Sequence, residues 1–409
     1  MSTPKPSLGR ALAEAADKAD ELAKFRNEFV FGEENIIYLD GNSLGRLTKK
    51  GQQKLLRSID EEWGTGLIRG WGHDWLLLGR RLGDKIAQII GTKPGEVLVS
   101  DSTSVNLFKL ITAAMKVQKR KVILTLADNF PSDLYILENA GELRIMKSVE
   151  QLLENLNQDT GVVSLTHTCY KTGQVFDMRL ITEAAHKVGA LVIWDLSHSA
   201  GVMPLQLDKH FVDMAIGCTY KYLNGGPGSP AFIFVREELL PHLENPIRGW
   251  FGHADPFSFN PEYKPAETIE KFLTGTPPVL SMAALEPALD MILEAGLDRL
   301  RKKSFLLTEY VIALVQERLV KYGVEIASPA EGGKRGSHVA LMHPEAWKLT
   351  QALIKHGVIP DFREPNILRI GLAPIYTSFV EVFDAITMLE TILAENLHAK
   401  FLATRQSVS

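Results

Sequence analysis

Residues 190–198 read Ala-Leu-Val-Ile-Trp-Asp-Leu-Ser-His, and residues 212–222 read Val-Asp-Met-Ala-Ile-Gly-Cys-Thr-Tyr-Lys-Tyr. Each stretch begins as a short apolar run and ends in polar residues, the pattern of a strand buried on both faces. Asp195 follows the first run, and Lys221 follows the second. Similar runs recur at Glu96 to Ser100, Lys121 to Leu126, Thr160 to His167 and Pro230 to Val235. Between them lie segments of helical periodicity, such as Ser104 to Val117 and Leu180 to Val188. Strand and helix in alternation predict an α/β fold whose mostly parallel sheet is covered on both faces.

Outward from this core the character changes. A helix is expected over Thr48 to Trp63, then a Gly/Trp-rich loop over Gly64 to Gly79. After Pro278 a long helical pattern runs from Ser281 to Tyr322, with Pro287 and Gly296 dividing or bending it. Short strands then alternate with helices: Glu325 to Ser328, His338 to Met342 and Ile367 to Gly371 against Glu345 to His356 and Thr377 to His398. The expected domains are an N-terminal segment (1–64) packing with the small domain, a large α/β domain (65–290) and a smaller C-terminal α+β domain (291–409).

Composition excludes several classes. Forty-five Lys and Arg against 49 Asp and Glu leave a net charge of −4 over 409 residues. That balance offers no basic surface for nucleic acid or an acidic membrane. No apolar run approaches the ~20 residues that span a bilayer, and no secretory signal is legible near the start. Two cysteines, Cys169 and Cys218, cannot build a disulfide framework, so a cytoplasmic setting is expected. The scattered histidines show no ligand spacing, and no metal is expected.

In an open α/β sheet, ligands gather at the carboxyl ends of the strands. There the sequence places Asp101-Ser102-Thr103-Ser104 at a helix start, Asn129-Phe130-Pro131-Ser132-Asp133, Asp195-Leu196-Ser197-His198, and Tyr220-Lys221 before the turn Asn224-Gly225-Gly226-Pro227-Gly228. Taken singly, each has an ordinary structural explanation. Asp195 reads as a helix N-cap, Ser102 to Ser104 as a capping run, Lys221 as a surface lysine and Phe130 as a core cover. Together they supply hydroxyls and amides for a phosphate, a flat ring for stacking, a carboxylate and a lysine. Those are the groups a pyridoxal phosphate site requires.

The chain resembles the kynureninase family of pyridoxal-phosphate enzymes, of the aspartate-aminotransferase fold type I. The matching segments are Tyr38-Leu39-Asp40-Gly41-Asn42-Ser43-Leu44-Gly45, the four strand-end segments above, Gly249-Trp250-Phe251-Gly252-His253, and Leu368-Arg369-Ile370-Gly371. The resemblance implies a seven-stranded, mostly parallel sheet in the large domain and pyridoxal 5′-phosphate held as a Schiff base on Lys221, which later moves the α-proton. It assigns Asp195 to the pyridine nitrogen, with His198 beside it. Thr103 and Ser104 go to the phosphate, Phe130 with Pro131, Ser132 and Asp133 to the ring, and Thr166 near the cofactor. Tyr220 touches the phosphate and donates a proton late in the reaction. Trp250 and Thr276 reach the cofactor of a second copy, which implies a homodimer. Arg369 grips the substrate carboxylate, and Trp71 and His73 contact its aromatic end. The implied reaction hydrolyses L-kynurenine, or its 3-hydroxy derivative, to the anthranilate and L-alanine, in tryptophan degradation or nicotinamide synthesis. A cysteine desulfurase-like lyase or an aminotransferase would share Asp195, His198 and Lys221. A desulfurase also needs a late catalytic cysteine, and none follows Cys218. A relative turned binding protein would be expected to have lost the lysine or the carboxylate.

Overall fold

The computed structural model describes residues 8–32 and 36–402; the side chain of His73 lies outside the described residues. The described chain forms two compact units. One comprises the residues up to Arg46, Lys171–Val175 and those from Ala295 onward; the other comprises Leu47–Tyr170 and Phe176–Glu294. The strands in chain order are β1 (Ile37–Tyr38), β2 (Val97–Val99), β3 (Val122–Leu126), β4 (Glu142–Met146), β5 (Thr160–Thr166), β6 (Leu191–Asp195), β7 (Met214–Gly217), β8 (Phe232–Val235), β9 (Glu325–Ile326), β10 (His338–Met342), β11 (Val358–Ile359), β12 (Asp361–Arg363) and β13 (Ile367–Gly371).

The second unit holds a seven-stranded sheet in the order β2-β8-β7-β6-β5-β3-β4. Only β8 runs against its neighbours, β2 and β7. The strand β2 therefore points the same way as β3 to β7, and the carboxyl ends of β2, β3, β5, β6 and β7 share one edge. β5 is buried at every position, as are β2, β3, β7 and β8. Leu98, Ile123, Val162, Ile193, Ile216 and Ile233 pack with Leu107, Leu110 and Ile111 of the helix Thr103–Val117. Each such aliphatic side chain contributes on the order of 1.5–3 kcal/mol when fully buried.

Close helix packing explains two glycines. Gly79 and Gly83 lie one turn apart on the helix Leu76–Ile90, where a Cβ would meet Val99 O at 2.8 Å and Val97 O at 2.1 Å. Glycine costs helix stability but lets this helix rest on β2. The first unit carries a four-stranded antiparallel sheet, β12-β13-β10-β9, with the pair β1-β11 beside it in parallel register. Its core includes Leu307, Val311 and Leu314 of Leu297–Arg318, and Val382, Ile386 and Leu389 of Phe379–Ala394.

The structure departs from the sequence reading in several places. Residues 64–79 are not a loop: they form short helical turns, Leu67–Arg69 and Trp71–Trp75, running into the helix Leu76–Ile90. The ring of Trp75 sits against Gly70, whose Cβ would meet it at 2.6 Å, so aromatic packing orders a segment of low helix propensity. The helix over Thr48 to Trp63 changes to a wider π-turn after Arg57. The pattern from Ser281 to Tyr322 breaks at Gly296 (φ +79°), as expected, but Pro287 does not interrupt it: it lies in the first turn of Leu285–Ala295, where no intrahelical donor is lost. The sheet's β4 was absent from the reading because this edge strand carries Glu142 and Arg144 and exposes much of its length. Residues 47–64 fall in the seven-stranded unit, where Lys49–Arg57 packs against Val279–Ala283.

Candidate active site

The shared strand edge opens into a cavity of about 470 Å³. Thr103, Ser104, Phe130, Ser132, Asp133, Thr166, Asp195, His198, Tyr220 and Lys221 line it. Every sequence-derived cofactor residue of this unit is among them except Pro131, Trp250 and Thr276. Pro131 instead occupies the first helical position of Pro131–Glu138, where its fixed φ suits a helix start.

Ser102 and its neighbours divide the two roles that the sequence allowed. Ser102 is the N-cap, its hydroxyl accepting the Val105 N–H at 3.3 Å. Thr103 and Ser104 then face the cavity, at positions whose amides have no intrahelical acceptor. The helix start is thus capped once and still presents donors and a partial positive charge to the cavity.

At the end of β6, Asp195 is buried, and its Oδ1 accepts the Ser197 N–H at 2.8 Å. Burial raises its carboxyl, while hydrogen bonds from Ser197 and the charge of Lys221 pull it back down. Ser197 Oγ in turn accepts the Cys218 N–H at 3.1 Å, which ties the end of β6 to the segment that carries Lys221. The Lys221 Nζ lies 3.0 Å from His198 Nε2 and 6.0 Å from the centre of the Phe130 ring. Phe130 packs edge-on against Tyr170 at 5.1 Å. Asp133 is held well above the usual carboxylate range by burial and by the neighbouring Asp195, against the pull of Lys221. The Tyr220 phenol is pushed up by burial, then by Cys218 and Asp195, so it keeps its proton. Thr166 ends β5 and donates to Thr168 O at 3.1 Å. Past Lys221 the chain reverses through Asn224, Gly226 and Gly228, all at positive φ.

Trp250 and Thr276 do not line this cavity, although the residues beside them meet. The Phe251 N–H donates to Thr274 O at 3.2 Å, and Gly249 permits the approach, since a Cβ there would meet Thr274 O at 2.1 Å. Both residues are exposed. Trp71 packs on Trp75 and Phe251 at 5.5 and 5.6 Å between ring centres. It lines a separate apolar cavity of about 380 Å³ with Trp63, Trp75 and Pro278; Pro278 also borders the main cavity. The assignment of His73 lies outside the described residues.

Arg369 belongs to the other unit. It is 1% exposed, so it does not simply cap β13 at the surface. Its Nε donates to Asp361 Oδ1 at 2.6 Å, its Nη2 to Asp361 Oδ2, and its Nη2 also to Ser43 Oγ at 3.1 Å. Arg363 Nη2 joins Asp361 at 2.8 Å. Sequence reasoning missed Asp361 and Tyr170, and it gave no separate role to Ser197 and Asp101, which it placed in the strand-end segments. The alternation of Asp361-Phe362-Arg363 beside a buried arginine strand was the available signal for the first of these.

Residues 300–389 match the family model described as the kynureninase C-terminal domain. Among solved structures, the fold is similar to a cysteine desulfurase from Thermococcus onnurineus NA1 (TM-score 0.76, 18% identity, 97% of this chain and 100% of that one). It is also similar to a C-DES variant with glycine covalently linked to the PLP cofactor (TM-score 0.79, 17% identity, 89% and 98%). These likenesses show that the chain shares the fold of those proteins. The kynureninase of Burkholderia pseudomallei (strain 1106a) is 42% identical over 414 aligned positions, covering 98% of this chain and 99% of the relative. With the kynureninase of Pseudomonas fluorescens the identity is 46% over 392 positions, covering 93% of this chain and 94% of the relative. Agreement at that level along almost all of both chains means that this protein belongs to the kynureninase family.

Proposed function

We propose that this protein is a pyridoxal-5′-phosphate-dependent hydrolase that cleaves the Cβ–Cγ bond of L-kynurenine, or of its 3-hydroxy derivative, to yield the corresponding anthranilate and L-alanine. The observation that carries the reading is one cavity lined by Lys221 with His198 at 3.0 Å, a buried Asp195, an aromatic face at Phe130 and a helix start at Thr103–Ser104. The donor set fits the cofactor. Thr103 and Ser104 are suited to its phosphate, the Phe130 ring to its pyridine face, Asp195 to a protonated ring nitrogen and Lys221 to its aldehyde. When bound, the cofactor supplies an electron sink for the α-carbon of an amino acid.

The chain's own groups orient and move protons around that sink. Lys221 Nζ is the base suited to the α-proton, and the His198 ring holds Nζ in place. Asp195, buried and steadied by the Ser197 N–H, is suited to pair with a protonated ring nitrogen. Tyr220, protonated at neutral pH, is suited to donate a proton when the aryl acid departs. Arg369, locked by Asp361, offers a planar guanidinium for the substrate carboxylate. Trp71 is suited to the aromatic end of the substrate. Both cysteines are buried, which argues against a desulfurase nucleophile.

A homodimer is part of this reading. Trp250 and Thr276, exposed and outside their own chain's cavity, are suited to complete the site of a second copy. Two buried free thiols agree with a cytoplasmic setting, and the reaction with tryptophan catabolism or nicotinamide synthesis. The test is direct. L-kynurenine added to the cofactor-loaded protein should give anthranilate fluorescence and alanine in equal amounts, and Lys221→Ala should lower the rate at least ~10³-fold. No product from the wild type defeats the function; full activity in Lys221→Ala defeats the assignment of the base.

A further inference from the structure

A carboxylate is out of place beside an anion cup, yet Asp101 lines the cavity next to Thr103 and Ser104. A negative charge there repels a phosphate that the helix start attracts. Asp101 is also a non-glycine residue in the left-handed region (φ +50°), a conformation that persists only where its surroundings hold it. Both features trace to one side chain that the site assignments do not include. Lys109, two turns into the helix Thr103–Val117, is completely buried, and its Nζ pairs with Asp101 Oδ2. The same Nζ donates to Phe272 O at 2.6 Å. Asp101 O accepts the Ala231 N–H at 2.8 Å, so the residue is held by backbone on one side and by Lys109 on the other.

We propose that Lys109 is a positioning residue of the phosphate cup: its buried ammonium neutralises Asp101, holds it in the left-handed turn that starts the helix, and anchors that turn to the backbone of Phe272. This rests on the reading that Thr103 and Ser104 receive the cofactor phosphate. Lysine suits the task because a compact ammonium on a long stem reaches a carboxylate and a carbonyl at once. The tie to Phe272 also joins the cup to the segment leading to Thr276.

The test uses full-length protein stripped of cofactor and measures binding of pyridoxal phosphate and of phosphate-free pyridoxal by absorbance. Lys109→Met should raise the Kd for pyridoxal phosphate at least ~10-fold and that for pyridoxal less than ~2-fold, because an unmatched Asp101 charge acts on the phosphate. The double variant Asp101→Asn with Lys109→Met should return to within ~3-fold of the wild type, since the repelling charge is gone. Asp101→Asn alone, which leaves the ammonium unmatched, should bind pyridoxal phosphate as tightly as the wild type or more tightly, and it serves if Lys109→Met does not fold. The inference is overturned if Lys109→Met leaves the pyridoxal phosphate Kd unchanged, if both ligands weaken equally with no rescue by Asp101→Asn, or if Asp101→Asn alone weakens binding. A wild type that binds pyridoxal as well as pyridoxal phosphate would instead overturn the phosphate site at Thr103–Ser104.

Discussion

Replacing Asp40 by asparagine should stabilise the protein at alkaline pH and do much less in acid. Asp40 follows β1, with its Oδ1 buried and without a hydrogen-bond partner. Burial, and then the neighbouring Asp361, raise its carboxyl from 3.8 to about 7, against Ser43, Arg369 and Arg363, which lower it. A group whose folded value is raised favours the folded chain fully below its unfolded value. That contribution is lost as the pH climbs from about 4 through about 7. Complete ionisation therefore costs the folded state about 4 kcal/mol relative to the unfolded chain, at about 1.4 kcal/mol per decade. Part of that cost is already present at pH 5, and solvent near the partly exposed residue screens some of the remainder. Asp40→Asn should thus gain about 2 kcal/mol on the wild type between pH 5 and pH 9, a sizeable part of a typical total of about 5–15 kcal/mol. Urea unfolding of both proteins at pH 5, 7 and 9 measures the gain. A difference that stays flat across that range, or shrinks as pH rises, refutes the reasoning.

Two further substitutions probe the sheet unit. Ser197→Ala removes the hydroxyl that accepts the Cys218 N–H and helps keep Asp195 ionised; turnover should fall about 10-fold with little change in KM, by steady-state kinetics on kynurenine. Gly83→Ala places a Cβ 2.1 Å from Val97 O and should cost about 1–3 kcal/mol as the helix Leu76–Ile90 is pushed off β2, seen as a lower melting temperature.

The strands that carry the site were legible because each is a run of apolar residues ending in a change of polarity. β6 and β7 are the clearest, and Asp195 and Lys221 sit just where those runs stop. β4 lacked that signal, since an edge strand needs no continuous apolar run. The turns over residues 64–79 hid behind their glycines, and only the contact of the Trp75 ring with Gly70 explains their order. Within the site, the residues that face the cavity could be read from strand ends, whereas those that hold them could not. Asp361 lies eight residues from Arg369 but meets it only because β12 and β13 pair in antiparallel register. Lys109 lies eight residues from Asp101 and reaches it only because the turn at Asp101 folds the chain back over the helix start.

By itself, the sequence determined the α/β class, most strands of the seven-stranded sheet, the shared edge on which the acid, the lysine and the helix start lie, and, through motifs along the chain, its family. These are local properties: burial repeats every two or 3.6 residues, and strand direction follows from right-handed connections. Only the tertiary structure decided which charges meet. It paired Arg369 with Asp361 and Lys109 with Asp101, set Lys221 beside His198, and left the Asp40 Oδ1 buried without a partner. The physical reason is that a buried charge is tolerated only at hydrogen-bonding distance from its complement, and that distance is set by how strands and helices cross in space.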